Sequence, residues 1–182
     1  MIKKSNPTAI HQANKQRDAN YRGELGLYRL GVGAMIFNDK GLILSGERRQ
    51  TNNAWQMPQG GIDADEEPEV ALRRELFEEV GITPDHFTIV AQTDDWLHYH
   101  LPPAVQKKLW HGKYVGQRQK WFLCQFLGSD DDINIAAQQP PEFVAWNWLT
   151  SNDLSSLVVD FKRDLYQQIF RSFIPLMLQK LV

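Results

Sequence analysis

Three features are scarce in this sequence: cysteine, long apolar runs and an excess of charge of one sign. The single cysteine, Cys124, lies in the apolar run KWFLCQFL, which predicts a buried side chain and excludes a disulfide within the chain. No stretch approaches the roughly 18 apolar residues that span a membrane, and MIKKSNPTAIHQANKQR lacks the apolar core of a signal peptide. The 20 Lys+Arg nearly balance the 22 Asp+Glu, so bulk positive charge does not hold the chain to nucleic acid. We therefore expect a cytoplasmic protein that binds neither membranes nor DNA and recognises anions locally.

The sequence does contain the pattern of one mixed α/β domain. Residues 1–24 are polar and weakly patterned, which predicts a flexible tail, and residues 25–182 are apolar enough to bury the core of one domain. Short apolar or alternating runs predict strands at LYRLGVGAMIF, LILSGE, AWQM, FTIVAQTDDWLHYH, QKWFLCQFL and EFVAWNWLT. Helical periodicity predicts helices at residues 66–80 and at FKRDLYQQIFRSF, where Leu165, Ile169 and Phe173 share a face. We expect Pro175 to kink or end the second helix.

The stretch RRELFEEVG, residues 73–81, combines two different helix faces. On a wheel of about 100° per residue the apolar side chains form one broad face: Leu72, Leu76, Phe77 and Val80. The acidic side chains occupy the other side: Glu75, Glu78 and Glu79. Arg73 falls inside the apolar arc, where it must extend its stem along the surface or meet a buried partner. Gly81 follows the last periodic residue and is expected to end the helix in the left-handed conformation.

This acidic cluster is unfavourable unless a cation binds to it. Carboxylates in the last turn oppose the helix dipole at about 0.3–1 kcal/mol each, and like charges three or four residues apart repel. A solvated acidic surface is the simpler interpretation, but the cluster is adjacent to a glycine-rich loop, PQGGID, that enters the same helix. Mg²⁺ prefers hard oxygen ligands and is commonly held by carboxylates together with substrate phosphates. The pattern therefore favours a divalent metal site.

The spacing of these residues resembles the complete Nudix box, the signature of hydrolases that act on a nucleoside diphosphate linked to another group. It runs Gly60, five residues, Glu66, seven residues, Arg74-Glu75-Leu76, one residue, Glu78-Glu79, one residue, Gly81-Ile82. The resemblance implies an α/β/α sandwich around a mixed β-sheet. It implies Mg²⁺, with Mn²⁺ as a substitute, at metal ligands Glu75, Glu78, Glu79, Gly60 and Glu142. It also implies that Arg74 holds the glutamates by charge-assisted hydrogen bonds, and we nominate Glu79 as general base with Glu142 as its rival.

Segments outside the box are similar to the bacterial RNA pyrophosphohydrolases and the related dinucleoside polyphosphate hydrolases. These segments are YRLGVG, WQMPQGGI, WLHYHLP, GQRQKWF, PEFVAWNW and VVDFKRDLY, in that order along the chain. The resemblance implies substrate contacts near the phosphates at Arg29, Gln59, Tyr99, Gln117 and Lys120. It implies contacts with the base near the RNA 5′ end at Arg49, Val159, Phe161 and Lys162.

Some of these positions also have simpler interpretations. Taken alone, Phe161 is equally consistent with a core residue at the start of a helix, and Lys120 or Lys162 with solvated surface. Arg29 is followed by Leu30-Gly31, where this group commonly has Pro-Asn, which makes its phosphate contact less secure.

The resemblance favours a metal-dependent hydrolase that removes pyrophosphate from the 5′-triphosphate end of RNA, leaving a monophosphate that exposes the transcript to decay. The same groups can act on diadenosine tetraphosphate or pentaphosphate and release ATP. A Nudix-fold module that only binds nucleotides or RNA is disfavoured, because Glu75, Glu78 and Glu79 are all present. The number of metal ions, the identity of the general base and the oligomeric state, monomer or homodimer, stay open.

Overall fold

The computed structural model describes residues 19–182, and residues 1–18 of the predicted tail lie outside this range. In the described part of the chain nine strands form one sheet. They are β1 (Asn20–Gly23), β2 (Gly26–Phe37), β3 (Ile43–Arg48), β4 (Trp55–Gln56), β5 (Gln59–Gly61), β6 (Phe87–Gln92), β7 (Leu97–His100), β8 (Gly116–Phe126) and β9 (Phe143–Leu149). The α-helices in this range are α1 (Pro68–Val80), α2 (Pro103–Gln106), α3 (Ser151–Leu157) and α4 (Arg163–Leu181). Short 3₁₀ turns occur at Pro84–His86, Trp110–Gly112, Asp130–Asp132 and Asp160–Lys162.

The sheet is mixed and open, with β2 and β8 at its centre. These two strands run parallel, from Tyr28 opposite Gly116 to Phe37 opposite Gln125. All other pairings among the described strands are antiparallel: β2 with β1, β3 and β5, β3 with β4 and β9, and β8 with β6 and β7. Parallel strands require a long crossover connection. Here the crossover contains α1, which places the box helix against the sheet.

The sheet buries an apolar core on each of its faces. β2 alternates between them: Val32, Ala34 and Ile36 belong to the core beneath α1, and Met35 and Phe37 to the core beneath α4. The first core takes helical residues from α1: Ala71, Leu72, Leu76 and Val80. The second takes them from α3 and α4: Leu154, Leu165, Tyr166, Ile169, Phe170, Phe173 and Met177. The predicted α/β/α sandwich around a mixed sheet, with its C-terminal helix, is confirmed.

The sheet begins before the boundary predicted at Leu25. In the β1–β2 hairpin Tyr21 lies opposite Tyr28, and Gly23 opposite Gly26. The N–H of Ala19 also donates to the carbonyl of Ile62 at 2.9 Å. Residues 19–23 therefore extend the sheet. The assignment of residues 1–24 to a flexible tail and of residues 25–182 to one domain stays a prediction.

The α1 helix begins and ends as its local sequence predicts. Pro68 occupies the first turn, where a missing N–H costs no helical hydrogen bond. Gly81 ends the helix with a φ of 71°, and its N–H bonds back to the last turn. Arg73 meets a partner: its guanidinium binds Glu69 at 2.7 Å and lies 5.4 Å from the centre of the Phe87 ring.

Phe77 differs from its prediction as a packing residue of α1. Its side chain is 53% exposed, whereas Leu72 and Leu76 are buried. On the helical wheel Phe77 lies at one edge of the apolar arc, whereas the buried residues extend past its other edge to Ala71. The buried face of α1 is therefore rotated away from Phe77, which faces solvent.

The α4 helix confirms the predicted apolar face and corrects its predicted end. Leu165, Ile169 and Phe173 are all buried. Pro175 lies inside the helix, which continues to Leu181, so the expectation that Pro175 ends it was wrong. Pro175 and Arg171 both lie on the exposed side of the helix, so water can satisfy the Arg171 carbonyl that loses its helical donor. None of the described helices is apolar enough over a sufficient length to cross a bilayer.

Candidate active site

A cleft of about 580 Å³ opens where the first residues of β2 and β8 meet β5, α1 and β7. Two further segments complete its walls: the segment around α2, and the 3₁₀ turn at Asp160–Lys162. Most of the site residues predicted from the sequence line this cleft: Arg29, Gln59, Gly60, Glu75, Glu79, Tyr99, Gln117, Glu142, Phe161 and Lys162. Residues from distant parts of the chain therefore meet at one place.

The remaining predicted residues do not line the cleft: Arg74, Glu78, Arg49, Lys120 and Val159. Arg74 and Glu78 lie beside it, within the hydrogen-bond network described below. Arg49 is exposed on the surface, and Val159 is half-buried just before the 3₁₀ turn. Lys120 Nζ donates to the carbonyl of Asp94 at 2.8 Å. Because side chains alternate along β8, Lys120 lies on the opposite face of the sheet from Gln117.

Arg74 connects the charged residues of the box. Its Nε and Nη2 donate to the two carboxylate oxygens of Glu66, at 2.9 and 2.8 Å. Nη2 also donates to the carbonyl of Gly61 at 2.8 Å. Nη1 donates to Glu75 Oε1 at 2.8 Å and reaches Glu78 Oε2 at 3.4 Å. The planar guanidinium thus sets the positions of three carboxylates relative to β5, which an ammonium group cannot do in the same way.

Glu66 is the fixed end of this network. It accepts hydrogen bonds from Arg74 and from the N–H of Asp63, the latter at 3.0 Å. The Arg74 hydrogen bonds, helped by the Asp63 N–H, hold the pKa of Glu66 below its usual value against the effect of burial. Glu66 is therefore ionised at neutral pH and acts as a permanent anchor for Arg74.

Two glycines of β5 allow charged groups to approach the strand closely. A Cβ atom at Gly60 would overlap the Glu75 carboxylate, and one at Gly61 would overlap the Arg29 guanidinium. Neither glycine has a positive φ, so close approach rather than backbone conformation requires them. Gly60 therefore leaves space for the carboxylate of Glu75 on α1.

Burial opposes ionisation of two of the carboxylates that line the cleft, Glu75 and Glu79. Desolvation raises the pKa of Glu79 well above its usual value, and the neighbouring Glu75 raises it further. The N–H of Gln59 donates to Glu79 Oε2 at 2.9 Å and only partly offsets these effects. Desolvation also raises the pKa of Glu75, although the Arg74 guanidinium acts in the other direction. The positive charge that the protein places near these two carboxylates is therefore too small to keep their pKa values in the usual range.

These residues fit a divalent cation in their chemistry. The groups at this end of the cleft offer oxygen ligands, and a cation would relieve the repulsion between Glu75 and Glu79. Across residues 19–182, however, no three acidic, imidazole or thiol groups converge closely enough to hold an ion. Arg74 Nη1 binds both Glu75 and Glu78. Without a cation, Arg74 therefore supplies the positive charge that holds Glu75 and Glu78.

Positive and aromatic groups line the wall facing these carboxylates. Lys162 is buried, and its Nζ donates to Gln56 Oε1 at 3.2 Å and to Gln59 Oε1 at 3.1 Å. Burial, with a contribution from Arg48, lowers the pKa of Lys162 to about 7. The Phe161 ring lies 5.8 Å from the ring of Tyr99 and packs partly against the core beneath α4. Phe161 is therefore both a core residue and part of the cleft wall.

Arg48 lines the cleft although the sequence prediction named its neighbour Arg49. Leu44 and Gly46 face the core beneath α1, so alternation along β3 turns Arg48 to the side of α1, whose Glu75 and Glu79 also line the cleft. β3 ends at Arg48, and Arg49 lies in the turn that follows, where strand alternation does not set the direction of a side chain. Arg48 Nε lies 3.6 Å from Glu142 Oε1. This Arg48 Nε atom is buried and has no hydrogen-bond acceptor among the described residues, so it is available to an incoming anion.

The α1 helix carries three glutamates on one side and is entered from the two glycines of β5, inside an α/β/α sandwich. This arrangement is typical of hydrolases that act on phosphoric anhydrides. Residues 27–169 match the NUDIX domain, and the chain belongs to the Nudix family. The chain is 50% identical over 147 residues to the RNA pyrophosphohydrolase of Roseobacter denitrificans, an alignment that covers 80% of this chain and 91% of that protein. Nudix hydrolases use divalent metal cations, in agreement with the oxygen-rich site. The predictions of the family and of an enzyme are confirmed.

Solved structures share the fold at lower sequence identity. The E. coli dihydroneopterin triphosphate pyrophosphohydrolase superposes with a TM-score of 0.62 at 19% identity, covering 76% of this chain and 92% of that one. A C. elegans Ap4A hydrolase in a binary complex superposes with a TM-score of 0.59 at 22% identity, covering 80% and 97%. At these identities the similarity supports the fold and not a substrate.

Replacement of Glu79 by Gln is expected to stabilise the metal-free protein and to remove its response to metal. The amide can still accept the Gln59 N–H, and it removes a charge that burial and Glu75 oppose. Because the pKa of Glu79 is raised, its cost is largest at high pH and fades as the pH falls. In EDTA at pH 8 we expect the unfolding midpoint to rise, by about 2–4 °C for each kcal/mol gained.

Thermal unfolding followed by circular dichroism at pH 5 and pH 8, with EDTA or Mg²⁺, measures this effect. Mg²⁺ should raise the midpoint of the wild type but change that of Glu79→Gln little. Glu69→Gln, which loses only an exposed ion pair on the same helix, serves as the control. A lower midpoint for Glu79→Gln in EDTA at pH 8, or an intact Mg²⁺ response, would contradict the assignment.

Proposed function

We propose that this protein removes pyrophosphate from the 5′-triphosphate end of RNA, leaving a 5′-monophosphate. The observation that carries the proposal is the 50% identity, over 91% of its length, to a protein named RNA pyrophosphohydrolase. The site supports it, since the box residues are complete and the facing wall offers cationic and aromatic groups for a triphosphate and its first bases. Production of a monophosphorylated end would open the transcript to decay.

The side of the cleft that carries the glutamates would bind and hydrolyse the anhydride. Glu75, Glu78 and Glu79, with Gly60 and Glu142, would hold Mg²⁺, with Mn²⁺ as a substitute. A bound cation neutralises charge on the phosphates and lowers the pKa of water. Arg74 keeps the glutamates in place through Glu66. Glu79 is our choice of general base, because the Gln59 N–H occupies its Oε2 and leaves Oε1 to accept a proton from the attacking water. Glu142 is the rival base.

The opposite wall holds the RNA end. Arg29 and Gln117, together with Tyr99, lie where they can contact phosphate oxygens. Lys162, whose pKa is about 7, gains a proton readily when an anion enters the cleft. Phe161 and Arg48 offer flat surfaces on which an unpaired base can stack. Lys120 and Val159 lie outside the cleft, so we give them no role in this proposal.

Cellular context is part of the proposal. Hydrolysis of RNA ends agrees with the cytoplasmic location and the absence of membrane and DNA partners expected from the sequence. Each of these remains a prediction. The same holds for the choice between monomer and homodimer.

Competition between substrates provides the direct test of the proposed function. Purified protein with Mg²⁺ is offered a 5′-triphosphorylated RNA and diadenosine tetraphosphate together, and the products are separated and identified. We expect pyrophosphate and monophosphorylated RNA to form first, with a higher kcat/KM for RNA. Preferential release of ATP from diadenosine tetraphosphate would favour the dinucleoside polyphosphate hydrolase instead. Binding of both compounds without products would favour a catalytically inactive module.

The adjacent arginines provide a matched pair of variants. Arg48→Ala is expected to raise KM for triphosphorylated RNA about tenfold or more, because it removes a partly buried cation that lines the cleft. Arg49→Ala removes the same side chain from an exposed position and should stay within about twofold of the wild type. Steady-state kinetics on both variants measures the difference. Equal effects, or a larger effect of Arg49→Ala, would place the RNA end elsewhere.

A further inference from the structure

The Arg29 side chain lies in the cleft between Gly61 and Trp110, which come from distant parts of the chain. Its guanidinium lies against the backbone of Gly61, at the place where a side chain on that residue would stand. The same guanidinium lies over the ring of Trp110, with its Cζ 5.3 Å from the ring centre. A guanidinium over an indole face is the most favourable form of a cation–π contact. Trp110 itself lines the cleft.

The Trp110 ring is supported from the protein interior. It meets the buried Tyr114 ring edge to face, with 5.7 Å between ring centres and 79° between planes. It also packs partly against the core beneath α4. An edge-to-face pair is attractive beyond the area that the two rings bury. The indole therefore presents a surface of defined position to Arg29.

The backbone at Trp110 adopts an uncommon conformation. Trp110, His111 and Gly112 have φ values of 47°, 55° and 74°, so two residues other than glycine lie in the left-handed region. The turn is closed by hydrogen bonds from Gly112 N–H to Leu109 O and from Lys113 N–H to Trp110 O, at 2.9 and 3.1 Å. Such strain persists only where the surroundings determine it, and it is frequent at ligand sites.

We propose that Trp110 is a positioning residue that holds the Arg29 guanidinium in place for the substrate phosphates. An arginine side chain has many rotamers, and ordering it before the substrate arrives reduces the entropy lost on binding. The inference rests on the proposed function only for the identity of the natural substrate, because any polyphosphate chain presents the same anionic oxygens.

The test compares two replacements of Trp110 that differ in their π-face. Trp110→Phe keeps an aromatic ring, whereas Trp110→Leu keeps apolar bulk and loses the ring. Binding of inorganic tripolyphosphate in the presence of Mg²⁺ is measured by titration calorimetry, for each variant alone and combined with Arg29→Ala. We expect Trp110→Leu to weaken binding about five- to tenfold and Trp110→Phe to remain within about threefold of the wild type. In the Arg29→Ala background, Trp110→Leu should cause no further loss.

Kinetics on triphosphorylated RNA provides a second measurement. Trp110→Leu should raise KM with little change in kcat, since the residue acts through Arg29 on binding. Losses of Trp110→Leu and Arg29→Ala that add in the double variant would overturn the proposal, as would equal binding by the Phe and Leu variants. If the wild type binds tripolyphosphate with the expected coupling but does not hydrolyse RNA, the proposed function fails and this inference stands. Unfolding midpoints show whether each variant is folded.

Discussion

The bidentate contact between Arg74 and Glu66 is the interaction on which the arrangement of the site depends. It fixes the guanidinium on the side of α1, and the remaining donors of Arg74 then reach Glu75, Glu78 and the carbonyl of Gly61. One planar cation thereby connects the strand that enters the box with three carboxylates on two elements. Without it, like charges one turn apart on α1 would repel and separate.

The buried carboxylates of this site are electrostatically unfavourable in the metal-free protein. Glu75 and Glu79 both have raised pKa values because burial opposes their charge, and a neighbouring carboxylate adds to the rise, Glu78 for Glu75 and Glu75 for Glu79. The glycines of β5 permit this crowding, since any side chain at Gly60 would displace Glu75. Functional sites commonly carry such a cost in stability, and a bound divalent cation with its phosphate ligands offsets it.

Local features of this protein were predictable from sequence, whereas features that depend on where a strand ends or on an irregular turn were not. The box is contiguous, so its spacing alone indicated the helix, its Gly81 end and the acidic face. The α/β/α sandwich was implied by the resemblance to the family and not by the apolar pattern. Arg48 rather than Arg49 lines the cleft because β3 ends at Arg48 and Arg49 lies in the turn that follows, a strand end that the sequence does not mark. Trp110 was missed because it lies in an irregular turn with no periodic pattern. Lys120 was predicted near the phosphates by resemblance, and the structure shows it on the face of β8 opposite Gln117, with its Nζ bonded to the Asp94 carbonyl.

The central claim is that Arg74, through Glu66, organises the carboxylates into a metal site. Titration of Mn²⁺ followed by electron paramagnetic resonance, on the wild type and on Arg74→Lys, tests it most directly. Lysine keeps the charge but cannot make the bidentate contact, so Mn²⁺ affinity should fall about 10- to 100-fold while the protein stays folded. Wild-type affinity in a folded Arg74→Lys protein would contradict the account.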